Sequence, residues 1–174
     1  MFSNGRKTVP SFFYQHSLTY SQYSVYDGKE CVMKEMLECE NSDDENRLRC
    51  IFKREMDAMN HLDHRSCLQL YGCSVNPSSN LPILIFPYCD GGCLTEYILE
   101  KGKRPRLSNE EKYQIILEII QGLAYLHSEH IIHRDLKLDN ILMHNGHPII
   151  SDFGSSRYIG NSIDIISSNG GDFL

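Results

Sequence analysis

The run His133-Arg134-Asp135-Leu136-Lys137-Leu138-Asp139-Asn140 gathers a carboxylate, a lysine and an amide into six positions, and Ser151-Asp152-Phe153-Gly154 begins eleven residues after its end. Each side-chain type has a definite chemical use. A carboxylate such as Asp135 can orient a hydroxyl and take up its proton. Lys137, two residues on, can offset negative charge developing nearby. The side-chain oxygens of Asn140 and Asp152 are hard donors of the kind that hold Mg2+. His133 and Phe153 read as packing residues, His133 as a hydrogen-bonded loop histidine rather than a base.

A second pair follows from burial. From about residue 44 to 61 the apolar period is helical, with Leu48, Phe52, Met59 and Leu62 on one face and Glu55 in its middle. A carboxylate buried alone on such a face is expensive. It needs a cation, and Lys34, in a β-rich run, is the natural partner. Removing one member of a buried pair costs about 3–5 kcal/mol.

The elements that must position these groups are readable in outline. Residues 20–26 and 31–36 are short β-rich runs around Asp27-Gly28, a hairpin signal. Asp43-Asp44-Glu45 supplies negative charge at the start of the Glu55 helix. Strands are expected near 68–75 and 83–86, joined by Asn76-Pro77-Ser78-Ser79-Asn80. After Cys89-Asp90-Gly91-Gly92 the character becomes helical. A short helix spans 94–100, a basic solvated loop 101–106, and a long helix 108–128 opens with a Ser108/Glu111 capping box. Ile116, Ile119, Ile120, Leu123 and Leu126 form its expected apolar stripe. Strands at 141–143 and 148–150 meet across Asn145-Gly146. From Gly154 onward the chain is rich in Ser, Gly, Asn and Ile, without sustained period.

Composition narrows the function classes. The 174 residues, 41% hydrophobic and 23% charged, suit one globular domain, or a smaller lobe with part of a larger one. Lys and Arg total 17 against 23 Asp and Glu, a net charge of −6, which argues against a general nucleic-acid binder. No apolar run approaches the roughly 20 residues that span a bilayer, and the amino terminus lacks the pattern of a secretory signal. Seven cysteines, none in a C-x-x-C pair, read as free thiols of a reducing, cytoplasmic compartment. His61, His64, His127 and His130 have no metal-ligand pattern around them.

The two motifs together, with Cys31-Val32-Met33-Lys34 and Leu84-Ile85-Phe86-Pro87-Tyr88-Cys89-Asp90-Gly91-Gly92 upstream, resemble the eukaryotic protein kinases from about Gln22 to the last residue. The resemblance implies an α+β, two-lobed fold. Residues 1–88 would form a twisted antiparallel sheet with one helix, and residues 89–174 part of a helical lobe. It implies ATP and Mg2+ between the lobes, with the γ-phosphate passing to a protein hydroxyl. Asp135 would be the proton acceptor, Lys137 the cation at the transferred phosphate, and Asn140 and Asp152 the metal ligands. Lys34 would hold the α- and β-phosphates, paired with Glu55. Phe86 would guard the back of the pocket, the carbonyl of Pro87 and the backbone of Cys89 would bind adenine, and Val25, Val32 and Leu142 would sandwich it. Lys137 matches the serine/threonine-specific pattern. Arg134 matches kinases whose activation loop is ordered by phosphorylation, with Ser155, Ser156, Ser162, Ser167 and Ser168 as candidate sites.

Two departures stand out. The family's glycine-rich phosphate lid would fall at positions 18, 20 and 23, where this chain has Leu18, Tyr20 and Tyr23. The resemblance also stops at Gly170-Gly171-Asp172-Phe173-Leu174, ahead of the family's Ala-Pro-Glu motif and further helices. Apolar surface on the long helix is then expected to be open to a partner. The expected function is a serine/threonine kinase domain. The alternative is a pseudokinase or truncated interaction module with little turnover.

Overall fold

The computed structural model describes residues 19–99 and 106–159. Strand β1 (Thr19–Tyr26) and strand β2 (Lys29–Met36) form a hairpin in which Tyr26 pairs with Lys29. The two turn residues, Asp27 (φ 49°) and Gly28 (φ 73°), are both left-handed, the conformation whose twist suits a two-residue hairpin. Helix α1 (Ser42–Met59) follows. The Asn41 side chain accepts the Asp44 N–H at 2.8 Å, and Asp43, Asp44 and Glu45 occupy the first turn, where anionic groups complement the helix dipole.

Strand β3 (Gly72–Val75) and strand β4 (Pro82–Pro87) complete an antiparallel sheet of order β1-β2-β4-β3. The expected strand at 68–75 is therefore shortened. Its earlier residues turn instead to the other half of the molecule, where Leu68 N–H donates to Ile150 and Ile150 N–H to Ser66, each at 2.8 Å.

Beyond the sheet come helix α2 (Leu94–Leu99), helix α3 (Asn109–Ser128) and four short strands: β5 (Ile131–Ile132), β6 (Ile141–His144), β7 (His147–Ile150) and β8 (Arg157–Tyr158). The β6–β7 turn, Asn145 and Gly146, again has positive φ at both residues. Ser108 caps α3 with the reciprocal Ser108/Glu111 box. One hydrophobic cluster runs from Leu48, Phe52, Leu84 and Phe86 on the sheet side to Leu126, Ile131, Leu142, Ile150 and Phe153 beyond it. A second, of Cys31, Met33, Ile83 and Ile85, lies on the opposite face of the sheet. The fold is the two-lobed α+β arrangement of an antiparallel sheet with one helix and a partial helical lobe.

The face of α3 departs from expectation. Its buried residues are Ile115, Glu118, Gly122 and Leu126, whereas Ile116 and Ile120 are 57% and 55% exposed. Gly122 explains the choice. A Cβ there would stand 2.9 Å from Ile150 Cδ1 and 3.0 Å from Ser66 Cβ, so the helix can approach β7 closely only along this line. Glu118 is tolerated on the same side because His147 Nδ1 lies 3.0 Å from its carboxylate.

All seven cysteines are free; Cys31, Cys67, Cys89 and Cys93 are buried, while Cys50 and Cys73 are exposed. Among the described residues no helix is long and apolar enough to cross a membrane. Leu18, residues 101–105, Ser162, Ser167, Ser168 and residues 170–174 lie outside the described residues.

Candidate active site

The Lys34 ammonium lies 2.9 Å and 3.2 Å from the two carboxylate oxygens of Glu55. β2 presents Lys34 on the face that α1 covers, and Glu55 sits between Phe52 and Met59 on the buried stripe of α1. The pair is almost free of solvent, with side chains 7% and 2% exposed. Burial alone pulls the Lys34 pKa down, but the charge of Glu55 and then that of Asp152 outweigh it and hold the ammonium above its ordinary range. Asp152 therefore faces the same charge. The Lys34 ammonium also stands 5.7 Å from the centre of the Phe52 ring.

Asp152 is held in a left-handed conformation (φ 63°) at the start of a single 3-10 turn, Phe153–Ser155. α1 packs directly on this turn. A Cβ on Gly154 would come within 2.9 Å of Ile51 Cγ2, and Arg54 Nη1 donates to the Gly154 carbonyl at 3.4 Å. Phe153 is fully buried and meets the His133 ring edge-on, 5.2 Å between centroids.

The loop from His133 to Asn140 is fixed by a set of hydrogen bonds. His133 Nε2 donates to the Ser151 carbonyl at 2.8 Å, and its Nδ1 accepts the Asp135 N–H at 3.3 Å. A carbonyl can only accept and an N–H only donate, so the pair of contacts assigns the neutral Nε2–H tautomer. Asn140 Nδ2 donates to the Asp135 backbone oxygen at 2.7 Å and to Asp135 Oδ2 at 2.9 Å. Ser151 closes the frame, giving both its N–H (2.9 Å) and its hydroxyl (2.8 Å) to the Asn140 carbonyl. Ser151, which precedes Asp152, is thus held against Asn140 although ten residues lie between them.

Lys137 Nζ lies 3.1 Å from Asp135 Oδ2, and both side chains are well exposed. Desolvation raises the Asp135 pKa, but hydrogen bonds from Lys137 and Asn140 outweigh it and hold the carboxyl below the usual carboxylate range. Asp135 is consequently a carboxylate at neutral pH.

The donor set fits a divalent cation. With both protons of the Asn140 amide directed at Asp135, its Oδ1 is buried and has no hydrogen-bond partner. A buried acceptor without a donor is costly, and a hard cation beside Asp152 would satisfy it. Two protein oxygens suffice for Mg2+, which keeps several waters and takes the rest of its shell from phosphates.

Several of the residues expected to meet a base lie near one another. Val32 pairs with Phe86 and Cys31 with Pro87 in the β2–β4 ladder, and Tyr88 N–H donates to the Glu30 carbonyl at 3.2 Å. The connection past β4 joins β6 through Gly91 N–H to Met143 O (2.9 Å) and Met143 N–H to Gly92 O (2.8 Å), which brings Leu142 under the sheet. Val32, Phe86, Cys89 and Leu142 share one packed cluster, with Val25 half-buried against it. Burial, followed by the charge of Asp90, pushes the Cys89 thiol up to about 12.

The expected roof needs one change. The register sets Tyr23, not Val25, across from Val32, and Ser21 across from Lys34; Val25 sits opposite Glu30, one pair from the end of the hairpin ladder. Tyr20 and Tyr23, expected at lid positions, are instead residues of a regular strand. Arg134 adopts φ 67° and donates to the carbonyls of Ser155 (2.6 Å) and Ser156 (3.4 Å). Of the two candidate phosphorylation sites among the described residues, Ser155 is exposed, while Ser156 is 2% exposed with its hydroxyl bonded to Phe153 O.

Sequence reasoning missed Ser151 and the placement of Tyr23. Counting outward from the two-residue Asp27-Gly28 turn supplies the second.

Comparison with known proteins points to one family. The family model for the protein kinase domain matches residues 15–171. The chain is 35% identical over 149 residues to the MAP kinase kinase kinase SSK2 of Saccharomyces cerevisiae, covering 82% of this chain and 9% of that protein. It is 32% identical over 140 residues to the receptor-like serine/threonine-protein kinase SD1-7 of Arabidopsis thaliana (78% and 16%) and 36% identical over 128 residues to the maternal embryonic leucine zipper kinase of Danio rerio (73% and 18%). The chain spans less than a fifth of the length of these relatives. On the extent of the family match, which covers nearly all of it, the chain belongs to the protein kinase family.

Proposed function

We propose that this domain binds ATP with Mg2+ in the cleft between sheet and helical part, and transfers the γ-phosphoryl group to a serine or threonine hydroxyl of a protein. The observation that carries the reading is the Asn140 amide. It spends its protons on Asp135 and leaves a buried oxygen without a donor. A proton acceptor and a cation-binding oxygen are thereby fixed by one side chain.

Asp135 accepts the proton of the incoming hydroxyl as its oxygen bonds to the γ-phosphorus and the bond to the ADP oxygen breaks. Lys137, 3.1 Å from Asp135, lies where it can offset charge on the transferred group. Lys34, oriented by Glu55, supplies the cation for the remaining phosphates. Mg2+ would be held by Asn140 and Asp152 and would supply charge neutralisation across the phosphates. Positioning and charge are most of what phosphoryl transfer requires of a protein.

Two measurements test the proposal. Mg·ATP should raise the melting temperature of the chain, and phosphate incorporation into a general protein acceptor should fall by at least about 100-fold in Asp135→Asn. Equal incorporation by the two proteins overturns the catalytic reading.

A second reading, an interaction module with little turnover, is favoured by one observation. Tyr113, Ile116 and Ile120, at helical spacing on α3, are 61%, 57% and 55% exposed. Such a stripe suits an apolar protein partner. A chain that binds nucleotide without turnover, and whose association is abolished by Ile116→Glu with Ile120→Glu, would establish it.

A further inference from the structure

Alternate residues of β1 and β2 define the cleft face of the sheet. Ser21, Tyr23 and Val25 stand opposite Lys34, Val32 and Glu30, and β4 extends two of these rows with Leu84 and Phe86. Since Lys34 reaches Glu55 on α1, the row Tyr23–Val32–Phe86 faces into the same cleft. A glycine, expected at position 23 from the family resemblance, would leave that row open on one side. Tyrosine fills it.

The tyrosine is secured at both ends. Its hydroxyl donates to Glu30 Oε1 at 2.6 Å, and its ring meets the Tyr88 ring edge-on, 5.2 Å between centroids and 86° between planes. Tyr88 lies in the connection whose neighbours, Pro87 and Cys89, would hydrogen-bond a purine. Tyr23 itself is 8% exposed and belongs to the packed cluster of Val32, Phe86, Cys89 and Leu142. The roof, Val32, and the floor, Leu142, carry no exposed surface at all. A planar base between two apolar walls needs about 7 Å, one contact distance on each face. Entry of a base therefore requires the packing around Val32 and Leu142 to open.

We propose that Tyr23 is the side chain that moves: an internal gate that fills the sheet side of the base slot and must swing out before a purine nucleotide can bind. The inference rests on the nucleotide site proposed above and adds a residue that sets its affinity. The contacts that hold the gate shut include a hydrogen bond to a carboxylate and an aromatic edge contact. Glu30 is exposed, so water can take the place of the hydroxyl when the ring turns away.

The test is calorimetric titration of the full chain with Mg·ATP and, separately, with adenosine. Three proteins are compared: wild type, Tyr23→Ala and Tyr23→Phe. Tyr23→Ala should bind both ligands about tenfold more tightly or better, and Tyr23→Phe, which keeps the ring but loses the tether, by a smaller factor in the same direction. Glu30→Gln, which weakens the same tether from its other end, should match Tyr23→Phe; these two carry the test should the alanine variant fail to fold. Equal affinities in all proteins overturn the gate and leave the nucleotide site standing. Weaker binding by the Tyr23 variants would make the ring a base contact and also overturns the gate. Tightening toward ATP but not adenosine would assign the effect to the phosphates, and the gate falls in that case too. No binding of either ligand by any of the proteins overturns both readings.

Discussion

Replacing Lys34 by methionine keeps the length and most of the volume of the side chain but deletes its charge. Glu55 would then stand 2% exposed among Phe52, Met59 and the underside of the sheet, with its hydrogen-bonding ammonium gone. Stranding one member of a buried pair in this way costs about 3–5 kcal/mol. For a chain of this size that corresponds to a fall in melting temperature of roughly 6–20 °C. The partner experiment separates charge from packing. In Lys34→Met with Glu55→Leu both charges are gone, and well-packed apolar replacements of a buried pair are often neutral or better. The double variant should therefore regain most of the loss, giving a coupling energy of at least about 2 kcal/mol in a double-mutant cycle. Urea denaturation with a common m-value is the assay. Both variants should lose nucleotide-induced stabilisation, because the cation proposed to meet the phosphates is absent from each. A single variant that loses less than about 1 kcal/mol, or a double variant no more stable than the single, would show that the pair is not the buried, solvent-excluded contact argued above.

Three further outcomes are expected. In native protein at pH 8, a small maleimide should label exposed Cys50 and Cys73 rapidly and leave Cys67 and Cys89 untouched, since burial holds the last two thiols at about 12; peptide mass spectrometry reads the sites, and early labelling of Cys89 would contradict the packed slot. Gly154→Ala should destabilise by about 1–3 kcal/mol through overpacking, because its Cβ would lie 2.9 Å from Ile51 Cγ2, and Ile51→Ala in the same chain should return part of the loss; no change in denaturation midpoint would argue against α1 resting on this turn. Lys34 has its folded pKa raised by Glu55 and Asp152 against the pull of burial, so its contribution to stability is complete below the unfolded lysine value, near about 10.4, and is lost as pH climbs through the higher folded value. On the alkaline side, stability curves of wild type and Lys34→Met should accordingly converge in strong alkali.

Much of this architecture is legible in the sequence because its signals are local. Asp27-Gly28 and Asn145-Gly146 announce hairpins through the positive φ their turns require, and Ser108 with Glu111 announces a helix start through reciprocal capping. The Lys34–Glu55 pair is legible for a different reason: a carboxylate inside an apolar stripe has few physical solutions. The buried face of α3 is not, because isoleucines at 115, 116, 119 and 120 supply apolar surface on two sides of the helix. The packed side is selected by Gly122, whose lack of a side chain lets Ser66 and Ile150 approach. A glycine in mid-helix is the available clue. The roof of the base slot is misplaced for a third reason. A family motif carries position along the chain without a gap, whereas strand partners are set by the turn between them. The contacts of Ser151 and Arg134 have no sequence signal of this kind, because they join segments only after the sheet and helices have met.

The polar frame around Asp135 is built almost wholly from neutral groups, and that choice has a consequence for the chemistry. A carboxylate at position 140 would face Asp135 at hydrogen-bond distance, and two anions so placed compete for one proton. A lysine there would neutralise Asp135 but could not offer an oxygen to a cation. Only an amide presents donors on one side and an acceptor on the other, and the distances of 2.7 and 2.9 Å to Asp135 fix which side is which. The same logic governs His133, whose neutral ring donates to Ser151 and accepts from the Asp135 N–H. A protonated ring would turn that acceptor into a donor facing a donor. The histidine therefore serves as a strut, and in the proposed function Asp135 is left to meet a hydroxyl proton and Asp152 a cation.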